Sequence, residues 1–183
     1  LPYKRPGKPG RFSFQERFML SIRQLTPEDA SGFRRLRLEG LEQAPGAFSA
    51  SLESEQDRPV EWFARILEKQ IAYGGFVEDK LAAIAVLQLY REQSKLAHRG
   101  YIWGVYASPA GRGKGLNRQL LEMLVQRARD EGLEILHLGV DPENTPAAKL
   151  YRSVGFEQMG FNKRALKVNG RYVDEINMAL ELL

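Results

Sequence analysis

The sequence predicts an α/β fold (α+β mixed) built on one central sheet of about seven strands with helices on both faces. Three observations carry this. Strand-length runs, alternating or wholly apolar, occur seven times; amphipathic helical segments interrupt them; and turn or cap residues mark the boundaries. The predicted order is βααβββαβαββ, with no internal repeat and no second linker.

The first strand is LSIRQL, just after Met19, where apolar and polar residues alternate. TPEDA then opens a helix. Thr26 suits the cap, Pro27 the first helical position, and Glu28 and Asp29 the positive end of the dipole. That helix is expected to run to about Glu42, and APGAFSASLESEQD follows as a polar loop with Phe48 embedded in it. Arg58 to Gln70 reads as a second helix, with Trp62, Ile66 and Leu67 on one side. IAYGGFVED and LAAIAVLQLYRE are strands joined near Asp79-Lys80, and AHRGYIWGVYAS is the next. Leu116 to Asp130 is amphipathic, its stripe made by Leu116, Leu120, Leu121, Leu124, Val125 and Ala128. EILHLGV is a buried strand, Asn144 to Ser153 a short helix ended by Gly155, and FEQMGF begins another strand. LKVNGRYVDEINMALEL closes the fold as a hairpin turning at Asn169-Gly170.

Composition excludes several classes. The chain has no cysteine, so disulfides, thiolate metal sites and a cysteine nucleophile are ruled out, and a reducing, cytoplasmic setting is expected. The two histidines, His98 and His137, lie at no metal-ligand spacing, so no metal is expected. No run approaches the ~18 apolar residues of a membrane span. The formal charge of +4 resides in residues 1–18, where Lys4, Arg5, Lys8, Arg11 and Arg17 oppose Glu16. This Pro/Gly-rich segment reads as a mobile or non-native extension before a single domain over residues 19–183, with Met19 a natural beginning. A basic arm for RNA or lipid head groups is its alternative reading.

The stretch SPAGRGKGLNRQLLEML carries the chemistry. Gly111, Gly113 and Gly115 alternate with Arg112 and Lys114 and run directly into a helix. A glycine turn there leaves main-chain N–H groups at the positive helix end, which suits an anion. The P-loop pattern fails because Gly115 follows Lys114 where Ser or Thr is needed. The dinucleotide fingerprint fails because its last glycine would fall on Leu116 or Arg118.

The segment Ala107-Ser108-Pro109-Ala110-Gly111-Arg112-Gly113-Lys114-Gly115-Leu116 resembles the central motif of the GCN5-related N-acetyltransferases, V-x-P-x-x-R-G-x-G-I-G/A. The run from Asn144 to Phe156 is similar to that family's N-x-x-A-x-x-L-Y-x-x-x-G-F. The likeness extends over about residues 20 to 182, including IRQLTPEDA and YVDEINMALEL at the ends, and the two motifs together are highly specific.

The resemblance implies a GNAT-like, mostly antiparallel sheet with acetyl-CoA as co-substrate. In such proteins two neighbouring strands splay and the pantetheine arm lies in the gap. Val105, Tyr106 and Ala107 are then expected to offer main-chain hydrogen bonds to pantetheine, as an added strand would. Arg112, Gly113, Lys114, Gly115, Leu116 and Asn117 are expected to wrap the pyrophosphate. Asn117 departs from the usual Gly or Ala and either crowds the phosphate or donates to it. Asn144 is implied to hold pantetheine or neighbouring backbone, a role compatible with capping its helix. Tyr151 corresponds to the usual general acid, since a phenol can protonate the departing thiolate. An N–H near Tyr106, where the family's strand bulges, is the expected oxyanion donor.

No general base can be assigned. Relatives often carry a Glu on the strand before the glycine turn, but GYIWGVYAS has none. His137 on an apolar strand reads first as packed structure, and Tyr106, Ser108 and Glu28 are weaker candidates. The acceptor is expected to be a primary amine of a small molecule or peptide, chosen by Leu38 to Arg58 and Lys163 to Tyr172. Glu39, Glu42, Glu53, Glu55 and Asp57 oppose Lys163, Arg164, Lys167 and Arg171, which suits a zwitterionic acceptor. Phe48, Trp62 and Tyr172 could form apolar walls, with core packing the default reading for Trp62. Transfer is expected to be direct, with no acyl-enzyme. The alternative is a non-catalytic coenzyme A binding or sensing module of the same fold. Nucleic acid and membrane are not expected partners; a homodimer is compatible with the family but required by no pattern here.

Overall fold

The computed structural model describes residues 20–183. The readings on residues 1–18 and on Met19 lie outside them. Seven strands form one sheet in the order β1-β2-β3-β4-β5-β7-β6. They are β1 (Leu20–Gln24), β2 (Ile71–Val77), β3 (Lys80–Leu89), β4 (Arg99–Ala107), β5 (Ile135–Val140), β6 (Glu157–Val168) and β7 (Arg171–Glu181). The helices are α1 (Ala30–Gln43), α2 (Leu52–Glu55), α3 (Val60–Lys69), α4 (Leu116–Asp130) and α5 (Thr145–Val154). The element order agrees with the sequence reading, α2 being the one addition.

Local chemistry explains the shifted boundaries. A 3₁₀ turn over Pro27–Asp29 precedes α1, and the Thr26 N–H donates to Asp29 Oδ2 at 2.9 Å. Helix α3 starts at Val60 rather than Arg58, because a residue before proline is pushed towards extended backbone. The supposed polar loop holds α2, whose cap Ser51 accepts from the Ser54 N–H. The β2–β3 turn lies at Glu78-Asp79, one residue earlier than expected. Both residues have positive φ, 49° and 61°, as a tight hairpin of this hand requires. The β6–β7 turn is at Asn169-Gly170 as expected, again with positive φ at both positions.

Two cores sandwich the sheet. On one face α4 and α5 pack their apolar stripes, including Leu120, Leu121 and Leu124, against Leu87, Leu136 and Phe156. On the other, α1 and α3 bring Phe33, Leu36 and Phe63 onto Ala72, Ile84 and Val86. All neighbouring strands are antiparallel except β4 and β5. That parallel pair is short: Arg99, Gly100 and Tyr101 meet Ile135, Leu136 and His137, and the ladder then stops.

Candidate active site

Beyond Tyr101 and His137 the two central strands diverge, so the β5-facing edge of β4 from Ile102 onward has no strand partner. On its other edge β4 pairs with β3, but the register slips between Ile84/Val86 and Tyr106/Trp103. One extra residue is accommodated there, at Gly104 with φ +65°. The bulge expected near Tyr106 is therefore present, two residues earlier in its sharpest point. The gap opens into a cavity of about 680 Å³, whose walls come from β4, the end of β5, α5 and the α1–α2 connection.

The glycine turn closes one end. Gly113 and Gly115 adopt φ +72° and +75°, left-handed values that a β-carbon would oppose. Gly115 caps α4 without any side-chain bond. The N–H groups of Gly113 through Arg118 make no backbone hydrogen bond with another described residue. They surround the positive end of a 15-residue helix. Leu116 contributes only its main chain, because its side chain is 1 % exposed in the α4 core. Lys114 is exposed, whereas Arg112 turns back. Its Nε donates to the Ala107 carbonyl at 3.1 Å, its Nη2 to Gln43 Oε1 at 3.3 Å, and it lies over the Tyr106 ring. Arg112 thus occupies the Ala107 carbonyl, one of the main-chain groups expected to face pantetheine. Asn117 lines the cavity with Oδ1 buried and unpartnered.

Val105 lines the gap half-buried. Tyr106 turns its ring towards α1, its hydroxyl 3.0 Å from Glu39 Oε1 and 2.9 Å from Gln43 Oε1. Burial, then the Glu39 hydrogen bond and charge, push that phenol above its ordinary value against Arg112. Asn144 caps α5, its Oδ1 accepting from the Ala147 N–H at 3.2 Å, and it borders the cavity. Tyr151 sits one turn from the end of α5, edge-on to Phe156 at 6.2 Å. Burial pushes its phenol far up, with the Tyr101 charge adding, so it keeps its proton throughout the neutral range.

Of the other base candidates, Tyr106 lines the cavity, with its hydroxyl held by Glu39 and Gln43, and the rest stand apart from it. Ser108 is buried and its hydroxyl donates to the Ala82 carbonyl at 3.1 Å. Glu28 lies at the exposed mouth of α1. His137 does not line the cavity, and burial followed by Arg99 and His98 lowers its pKa.

The acceptor side differs from the sequence reading in three respects. Glu55 is not a free steering charge: it is buried and grips Arg37 through two bonds of 2.9 and 2.8 Å. Arg37 itself, which the sequence did not single out, lines the cavity and stacks over Phe48 and Trp103 at 5.2 and 5.1 Å. Trp62 packs edge-on to Phe63, in keeping with its default reading, whereas Tyr172 is exposed beside Arg164 and Lys167 and lines neither hollow. The β6–β7 hairpin reaches a second hollow of about 370 Å³, which Lys167 lines together with Glu42 and Glu53 and which shares Phe48 and Ser49 with the first.

A seven-stranded sheet parted between its parallel strands, with a glycine turn at the gap's end, defines a class of acyl-transfer domains. The chain belongs to the acetyltransferase (GNAT) family, whose pattern it matches over residues 36–156. It is 37% identical over 78 residues to an L-methionine sulfoximine/L-methionine sulfone acetyltransferase of Pseudomonas aeruginosa, an overlap of 43% of this chain. The chain spans 45% of that relative's length. Its fold superposes on a GNAT-family acetyltransferase from Streptococcus pneumoniae with a TM-score of 0.79 at 24% identity, covering 88% of this chain and 99% of that one. A protein from Salmonella typhimurium, solved with its cofactor acetyl-CoA, gives 0.78 at 23% identity over 90% of this chain and 94% of that one. Among the described residues no helix is long and apolar enough to cross a membrane, and no cluster of three or more metal-ligating side chains occurs.

Proposed function

We propose that this chain is an acetyl-CoA-dependent N-acetyltransferase acting directly on a primary amine. One observation carries the reading: the cavity in the β4–β5 gap is lined by Arg112 and Asn117, which flank the N–H groups left without a backbone partner among the described residues, and by Tyr151. The turn would take the diphosphate of the co-substrate, with Lys114 adding charge and the orphaned Asn117 oxygen free for a ligand donor. Val105 to Ala107 would hold the pantetheine amides along the unpaired edge, and Asn144 would border them. Acetyl-CoA supplies an acyl group activated as a thioester.

Tyr151 holds a proton at its phenol oxygen and delivers it to the departing sulfur. An N–H in the bulge around Tyr106 faces the carbonyl oxygen as charge develops on it. With no cysteine in the chain, transfer proceeds without an acyl-cysteine. The acceptor is an amino acid or peptide N-terminus. The apolar wall of Phe48 and Trp103 with the Arg37 cation supports this, as does the relative that acts on methionine sulfoximine.

Thiol release from acetyl-CoA, screened over amino acids, peptide N-termini, polyamines and aminoglycosides, tests the reading. Turnover with α-amino acids or N-terminal peptides is expected. Coenzyme A should also raise the melting temperature. A raised melt without turnover on any amine would leave a binding module, and an unchanged melt would defeat the cofactor assignment as well.

A further inference from the structure

The attacking amine must lose a proton, and β4 carries no carboxylate to take it. Glu175 of β7 reaches the cavity from two strands away. Its carboxylate lies across the α-carbon of Gly139 on β5: a β-carbon on that glycine would fall 2.4 Å from Oε2 and 2.5 Å from Cδ. Gly139 stands two residues past the last β4–β5 pair, inside the splayed part of the gap. A side chain at that position would force the carboxylate to shift, so the glycine leaves the space that Glu175 occupies.

The faces of the sheet sharpen the point. Leu138 and Val140 of β5, and Ile176 and Met178 of β7, belong to the α4–α5 core, so Gly139 and Glu175 look to the α1–α3 face. Tyr151 belongs to the α4–α5 core. Trp103, Phe48 and Arg37 border the cavity from the face that Glu175 shares. A proton donor and a carboxylate therefore flank the gap from opposite sides. Between them stands Tyr101, whose phenol is raised first by burial and then by the Glu175 charge, with Tyr90 adding and the Gly139 main chain opposing.

We infer that Glu175 is the general base, taking the proton of the acceptor ammonium on the α1–α3 side of the gap. This rests on the transferase reading above. The ammonium N–H bond breaks and its proton passes to a Glu175 carboxylate oxygen. The freed lone pair forms the C–N bond; the C–S pair leaves on sulfur, which takes the Tyr151 proton. One of the two protons still on nitrogen passes to the phenolate, the other staying as the amide N–H, and Glu175 releases its own to solvent. The charged or titratable groups around the same cleft are Arg37 from α1, Tyr101 and Tyr106 from β4, Arg112 from the glycine turn, Asp141 after β5 and Tyr151 from α5, with Tyr90 beyond β3. Asp141 is already engaged, its Oδ1 accepting the Glu143 N–H at 2.8 Å.

The test compares wild type with Glu175→Gln, Glu175→Asp and Gly139→Ala in the full chain. Coenzyme A affinity by calorimetry should stay within about threefold in all. At neutral pH kcat should fall about 10²-fold or more in Glu175→Gln, in the range of lost general-base catalysis. Gly139→Ala should lose a similar factor, and Glu175→Asp should keep part of the rate. Towards pH ~10, where free amine is supplied by solvent, the deficit of Glu175→Gln should narrow at least tenfold. In an absorbance titration of phenols, Glu175→Gln should ionise one tyrosine at lower pH. A neutral-pH kcat within threefold of wild type, or a deficit equal at every pH, overturns the inference. An unshifted phenol titration overturns it by removing the carboxylate from the cleft. Failure of the wild type itself to turn over any amine would instead defeat the transferase reading, and the inference with it.

Discussion

Removing the carboxylate of Glu55 isolates a buried cation. Arg37 and Glu55 have side chains only 7% and 9% exposed, and they meet in a two-point ion pair of 2.9 and 2.8 Å. Deleting one partner of such a pair costs about 3–5 kcal/mol, because the remaining charge keeps its desolvation penalty without compensation. Phe48 and Trp103 continue to flank the guanidinium, which favours the lower part of that range. At about 2–4 °C per kcal/mol for a chain of this size, Glu55→Ala should lower the melting temperature by about 6–20 °C. The double variant Arg37→Met with Glu55→Ala should recover most of the loss. Differential scanning calorimetry on the four proteins closes the cycle. A drop below 2 °C for Glu55→Ala, or a double variant no better than the single, would refute the argument. Because Arg37 lines the cavity, surviving Glu55→Ala protein should also show a raised acceptor KM with little change in acetyl-CoA binding.

Three further outcomes follow from the same structure. Tyr151→Phe should reduce kcat at least about tenfold while calorimetric coenzyme A affinity stays near wild type, and equal turnover would remove the phenol from the acid role. The buried Tyr151 phenol has its pKa raised in the folded state above the ordinary ~10, so the stability it lends is intact below pH ~10 and is lost as pH rises beyond it. Thermal melts of Tyr151→Phe should therefore fall off less steeply above pH ~10 than those of wild type. Gly115→Val places a branched side chain at φ +75° and should weaken coenzyme A binding at least about tenfold by calorimetry, with a backbone strain of about 1–2 kcal/mol also visible in the melt.

Periodicity alone determined the seven strands, the long helices and their order, because each amphipathic segment declares its buried face locally. The glycine turn was equally legible, since Gly113 and Gly115 mark left-handed backbone wherever they fold. So were the Asn144 cap and the Asn169-Gly170 hairpin, both set by residues adjacent in the chain. Short-range steric terms already misplaced the edges: Pro59 delayed α3, and Glu78 with Asp79 took the turn that Lys80 was expected to share. What only the tertiary structure decided is which distant side chains meet across the sheet. Glu55 became the buried partner of Arg37 because α2 folds against α1, although its charge reads as solvent-facing. Glu175, on a strand 36 residues beyond Gly139, enters the gap because β7 inserts between β5 and β6. Strand order is fixed by long-range pairing and core burial, and neither leaves a trace in local spacing.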